Sequence, residues 1–262
     1  MLLKATRTDV TGSTFVGNGG RYRRCRHMYS LVALHAATMA NCVLTENSCG
    51  SAVEFYNYWD SSTGDHNSIT NCLVASNTVA YAAVDVDQAL STGWNEIVNC
   101  TVANNAAIPT LAYNAERAWA GGIAWGATDS YSSLLRIVNT VVWGNVVTNG
   151  MGGLMTSDMP IQNALGTRTL ELRHNCFSEA GDWASADKQT VEANIANDPL
   201  MRSSNRGKYT LRAGSPCIDV GDNLGWTEDD TDLAGNPRIV KKTVDLGCYE
   251  TPPPRGMLIL VK

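Results

Sequence analysis

A nine-residue phrase recurs along this chain and constrains its fold more than any single residue does. It reads Met39-Ala-Asn-Cys-Val-Leu-Thr-Glu-Asn47, Ile69-Thr-Asn-Cys-Leu-Val-Ala-Ser-Asn77, Ile97-Val-Asn-Cys-Thr-Val-Ala-Asn-Asn105 and Ile137-Val-Asn-Thr-Val-Val-Trp-Gly-Asn145, with a weaker first copy from Val10 to Asn18. The closing asparagines lie 29, 30, 28 and 40 residues apart, so one unit repeats with an insertion before its fifth copy. Within each copy apolar or small residues alternate with polar ones, and a period of two means strand. A unit of roughly thirty residues holding two or three short strands cannot bury its own apolar face, whereas stacked copies can. Asparagine at a fixed place tolerates the left-handed backbone of a tight bend, and its amide can bond to an identical amide one layer away.

A second signature follows each closing asparagine: Gly50-Ser-Ala-Val-Glu54, Tyr81-Ala-Ala-Val-Asp85, Ala120-Gly-Gly-Ile-Ala124 and Met151-Gly-Gly-Leu-Met155. Small residues before an aliphatic one suit a strand whose inner side lies where layers approach closely. Each turn of the stack therefore has at least two strands, and the linkers between them take up the insertions.

Composition sets the outer limits. Only 17% of the 262 residues are charged and aliphatic residues are plentiful, which excludes disorder. A formal charge of −5 argues against nucleic acid as the main partner. No apolar run reaches the ~20 residues of a membrane-spanning helix. No CxxC pair and no zinc spacing among the four histidines occurs, nor any G-x-S-x-G, H-E-x-x-H or P-loop. Cys42, Cys72 and Cys100 share one repeat position, which predicts small inward side chains stacked between layers. The basic run Arg21-Tyr-Arg-Arg-Cys-Arg-His27 reads either as a solvated loop or as a site for an acidic polysaccharide or phosphate.

The repeated N-C-x-V-x-x-N followed by G-G-[IVL] resembles the right-handed parallel β-helix proteins of the pectin-lyase-like superfamily. Toward the C-terminus, Asn194-Ile-Ala-Asn-Asp-Pro-Leu200, Tyr209 to Gly221, Thr231 to Ile239 and Val244-Asp-Leu-Gly-Cys-Tyr-Glu250 are similar to the closing module of secreted bacterial β-helix repeat proteins. The resemblance implies an all-β, single-stranded right-handed parallel β-helix of about six turns, in an extracellular or cell-surface protein. It implies no catalytic residue, because β-helices carry many activities and none. Many relatives have alanine at the positions of Cys217 and Cys248, so cysteine at both implies a disulfide between them. Residues 1–193 are then the helix, expected to be the C-terminal piece of a longer protein. Residues 194–250 form a closing module that continues the helix, and 251–262 a proline-rich spacer and apolar tail.

Candidate chemistry is sparse. In-register stacking would place Glu54 and Asp85 about 5 Å apart on adjacent turns, with Asp87 and Tyr56 beside them. Two carboxylates so spaced could act on a glycosidic bond or hold calcium, and could equally form a polar solvent face. Tyr56, Tyr58, Trp59, Tyr81, Trp119 and Trp125 cluster along the same stretch, either as rings that bind sugar or as core filling. The acidic group Asp229, Asp230 and Asp232 resembles a calcium loop only loosely. Asp219, Asp232, Asp245 and Glu250 are expected to cap turns and to pair with Arg238. No cofactor is expected, calcium being the one ion these carboxylates could hold. Three functions fit. The first is a structural or binding module for carbohydrate or another surface. The second is a polysaccharide lyase or glycoside hydrolase, and the third a subunit that associates end to end into fibres.

Overall fold

A computed structural model describes residues 3–19, 30–56, 66–87, 93–108, 120–126, 133–148, 153–158, 168–178, 188–202 and 209–252. Strands run in coils. The first coil holds β1 (Leu3–Thr6), β2 (Asp9–Thr11) and β3 (Thr14–Val16). The second holds β4 (Val32–His35), β5 (Thr38–Ala40), β6 (Val43–Thr45) and β7 (Ser48–Cys49), and the third β8 (Val53–Tyr56), β9 (His66–Thr70), β10 (Leu73–Ala75) and β11 (Thr78–Val79). The fourth has β12 (Ala82–Asp87), β13 (Trp94–Val98), β14 (Thr101–Ala103) and β15 (Ala106–Ala107), and the fifth β16 (Ala120–Gly126), β17 (Ser133–Val138), β18 (Val141–Trp143) and β19 (Val146–Thr148). After β20 (Leu154–Thr156) come β21 (Arg168–Arg173), β22 (Cys176–Phe177) and β23 (Lys188–Glu192).

Equivalent strands pair in parallel between coils and build four sheets: A (β1-β4-β8-β12-β16), B (β2-β5-β9-β13-β17-β21-β23), C (β3-β6-β10-β14-β18-β22) and D (β7-β11-β15-β19-β20). The architecture is a right-handed parallel β-helix of about six turns. Complete coils contain four strands rather than two or three, because each short apolar run is cut by a bend of its own.

The bends follow from backbone sterics. Between sheets B and C the corner residue takes the left-handed conformation, at Asn41, Asn71, Asn99 and Asn139 with φ between 47° and 54°, where a short amide side chain is tolerated. Between C and D the left-handed residue is Glu46, Ser76, Asn104 or Gly144. The closing asparagine follows it and turns inward.

Inward residues stack in columns. One aliphatic column runs Val10, Met39, Ile69, Ile97, Ile137 and Leu172, and another Phe15, Leu44, Val74, Val102, Val142 and Phe177. Polar columns line the corners. The Nδ2 of Asn47, Asn77 and Asn105 donates to Oδ1 of the next coil's asparagine at 2.9 Å, and to a carbonyl of the preceding coil at 2.9 to 3.0 Å. At the fifth coil Asp158 ends the ladder by accepting from Asn145 N and Nδ2 with Oδ1 and from Ser178 with Oδ2. Satisfying both ends of each amide in this ladder offsets the cost of burying it.

A hairpin after the fifth coil accounts for the fourth glycine signature. β20 pairs antiparallel with β19 instead of following β16 in sheet A, and exposes Leu154 and Met155. Both arms of the hairpin pass close to β16: a Cβ on Gly121 would stand 2.3 Å from Val146 N of β19, and one on Gly122 would stand 2.1 Å from the carbonyl oxygen of Asp158, beyond β20.

Asn194 and Ile195 carry the stack one step past β23, with Asn194 Oδ1 accepting from Asn175 Nδ2 and Ile195 bridging in parallel to Cys176. Beyond them the described residues make only isolated bridges and lie along the outside of sheet C. Cys248 and Tyr209 cover Leu73, Ala75 and Ala103, while Leu211, Cys217 and Leu246 cover Val141 and Cys176. The corner asparagines bond to this flank: Asn71 donates to Thr231 O, and Asn139 both donates to Asp222 O and accepts from Asp222 N. Outward residues of sheet C such as Leu73, Ala75, Ala103 and Val141 are apolar because they face protein, not water.

Candidate functional site

Glu54 and Asp85 stand in register on β8 and β12, with Asp87 opposite Tyr56. Their neighbours Val53, Phe55, Val84 and Val86 point into the core, so the carboxylates point out of it. They are nevertheless only 2% and 6% exposed. The outward column Ala33, Glu54, Asp85 and Ala124 is buried along its length. Ser30 Oγ donates to Glu54 at 2.5 Å, and Ser51 Oγ to Asp85 at 3.3 Å. The expected stacking is present, but neither carboxylate lies on a solvent face. Only the strand placement of Asp87 and Tyr56 is described.

The aromatic candidates divide likewise. Trp125 is fully buried at the end of the core column Leu34, Phe55, Val86 and Trp125, and Tyr81 is 8% exposed. Neither offers a ring to a sugar, because both fill the wall of the stack. Tyr58, Trp59, Trp119, the basic run at 21–27 and the tail at 253–262 lie outside the described residues.

Asp229, Asp230 and Asp232 do not converge on a metal. Asp232 accepts from Ala234 N and Asn236 N with Oδ1, and from Asn236 Nδ2 and Glu250 N with Oδ2, so both oxygens hold turns. Asp230 accepts from Thr227 N and Oγ1, and these bonds hold its carboxyl below the usual carboxylate range. No group of three His, Cys, Asp or Glu suited to a metal occurs among the described residues. Asp232, Asp245 and Glu250 surround the fully buried Arg238, whose Nε lies 3.5 Å from Glu250 Oε1. Burial, together with the neighbouring acids, pushes Glu250 up to about 8 against the attraction of Arg238.

None of the described cysteines is disulfide-bonded in this structure, and the expected partners Cys217 and Cys248 are not neighbours. They belong to different apolar clusters of the flank, Cys248 against β10 and β14 and Cys217 against β18 and β22, so the two sulfurs face different coils. Cys42, Cys72 and Cys100 do stack. Contact with Cys72 and burial push the Cys42 thiol far up, and burial does the same for Cys72, which keeps both neutral.

An accessible row of side chains lies on sheet B, and the sequence reading missed it. Outward positions of β13, β17 and β21 form one row in which Glu96 meets Arg136 at 2.7 Å and Arg136 meets Glu171 at 3.4 Å. Arg173 extends the row, 3.1 Å from Glu171 and 3.1 Å from Asp222 of the flank. At one end His66 lies 3.3 Å from Glu96 and stacks on Trp94, with ring centroids 3.6 Å apart. Trp94 is 37% exposed, and the charged side chains of the row are between 14% and 37% exposed. The signal was available: Trp94 and Glu96 have the parity opposite to Ile97, which points inward.

No protein-family model matches the chain, and no curated protein matches it. Among solved structures it is similar to the pectate lyase Pel9A at 13% identity, over 95% of this chain and 69% of that one, with a TM-score of 0.42. It is also similar to a plasmid-mediated fluoroquinolone resistance protein at 13% identity, over 79% and 88% of the two chains, with a TM-score of 0.15. Values this low carry no functional argument, and the fold stands on the strand register alone.

Proposed function

We propose that this chain is a rigid, non-catalytic binding module that works outside the cell or at its surface and takes a polysaccharide on the outward face of sheet B. The observation that carries the reading is the contrast between two sets of carboxylates. Glu54 and Asp85 have the spacing for glycosidic chemistry but are buried. Glu96, Arg136, Glu171 and Arg173 are reachable, and each is held by an opposite charge rather than poised as acid or nucleophile. Strands about 4.8 Å apart repeat donors and acceptors along a flat face. A hydroxyl-rich polymer can match such a row, and the edge of Trp94 adds apolar area at its end.

A polysaccharide array scored for both retention and cleavage tests this. Retention without products is expected, lost in Trp94→Ala and Arg136→Ala and kept in Glu54→Gln and Asp85→Asn. Cleavage products that disappear in Glu54→Gln or Asp85→Asn would establish the lyase or hydrolase reading instead. End-to-end association has one observation in its favour, since β23 forms an edge of sheet B with all five of its residues exposed. Light scattering that rises with protein concentration would support it.

A further inference from the structure

We propose that Cys176 and Cys217 are the two halves of a disulfide that fastens the C-terminal flank to the sheet it covers. Cys176 follows Asn175 on β22 and pairs in register with Val141, at an outward position of sheet C. Cys217 comes from the flank and is buried in the same apolar cluster, against Val141 and Leu246. The two side chains share this cluster closely enough that Cys217, together with burial, pushes the Cys176 thiol far up. Backbone bonds hold each residue in place: Cys176 N donates to Thr140 O, and Leu246 N donates to Cys217 O.

Other described thiols are differently placed. Cys42, Cys72 and Cys100 each donate to a carbonyl two residues earlier at 3.2 Å, and serine and threonine take the same column at Ser13 and Thr140. That column asks for a polar atom, not for thiol chemistry. Cys176 Sγ also donates to a carbonyl, Asn197 O at 3.4 Å, but Cys176 and Cys217 stand outside that column, and they join sheet C to a flank that is otherwise held by packing and by hydrogen bonds from the corner asparagines.

The oxidant is a small-molecule disulfide such as oxidised glutathione. One cysteine thiolate attacks it, forming a mixed disulfide and releasing one glutathione thiol. The second cysteine thiolate then attacks the protein sulfur and releases the other. Two electrons pass from the cysteines to the glutathione, and their two protons end on the released thiols and solvent. Both thiols are fully buried once the flank is docked, so exchange belongs to folding, before docking is complete. The inference is independent of what sheet B binds.

The test is refolding of the whole chain in reduced and oxidised glutathione, followed by alkylation under denaturing conditions and peptide mapping. A single cross-link joining the Cys176 and Cys217 peptides is expected, with a mass about 2 Da below the reduced chain and a melting temperature several degrees above it. Cys248→Ser should keep the cross-link, and Cys176→Ser should abolish it. Alkylation of every cysteine after oxidative refolding would overturn the proposal, as would a bond from Cys217 to Cys248. The wild-type map decides even where a variant fails to fold.

Discussion

Ser13, Cys42, Cys72, Cys100, Thr140 and Asn175 stand in one column, and what they share is an acceptor atom rather than shape or reactivity. Ser13 N donates to Cys42 Sγ, Cys42 N to Cys72 Sγ, Cys100 N to Thr140 Oγ1 and Thr140 N to Asn175 Oδ1. Cys72→Ser should therefore change stability by less than about 1 kcal/mol, while Cys72→Val leaves the buried Cys42 amide without an acceptor and should cost about 1–3 kcal/mol. Urea unfolding of the two variants compares them directly. Glu250 gives a pH prediction at the same scale. Its folded pKa of about 8 stands above the ordinary 4.5, so the folded chain holds the proton more tightly than the unfolded one. The stability it contributes is full below about pH 4.5 and falls as pH rises through about 8. Glu250→Gln should flatten that fall, read as the denaturant midpoint from pH 6 to pH 9.

Within single elements, the alternation that made the strands legible also fixed which residues share a column. Glu54 and Asp85 were aligned correctly from sequence, and so were Cys42, Cys72 and Cys100. The Met151 to Met155 signature was not, because glycine permits close approach without saying which segment approaches. At β16 the approaching segment is the hairpin ending in Asp158, reached by Gly122 N donating to Ser157 O and Ile123 N to Asp158 O. Gly122→Ala should destabilise the chain by about 1–3 kcal/mol through overpacking. Hydrogen exchange should then show faster loss at Ile123 and Asn145, whose amides donate to Asp158, than in distant coils, and unchanged exchange there would contradict the contact.

For the molecule as a whole, stability is shared between neighbouring coils and the flank that ties them together. A stack of repeats opens from its ends, since end coils have one neighbour and inner coils two. Amides of β9 and β13 should therefore exchange at least tenfold more slowly than those of β23, equivalent to a difference of about 1.4 kcal/mol in opening free energy, and uniform protection would argue against coil-by-coil opening. The flank should raise protection along sheet C, where Asn71 bonds to Thr231 across 160 residues and Asn99 to Asp245 across 146. By itself the sequence determined the coil period, the strands, the amide ladders and the stacking of equivalent residues, because all of these depend on contacts one repeat away. Only the tertiary structure decided which outward faces are covered, that Trp125 fills the core while Trp94 reaches solvent, and that Cys217 meets Cys176 instead of Cys248. Those outcomes depend on where an irregular segment docks and which columns the wall closes over, and a local pattern of apolar and polar residues carries no record of either.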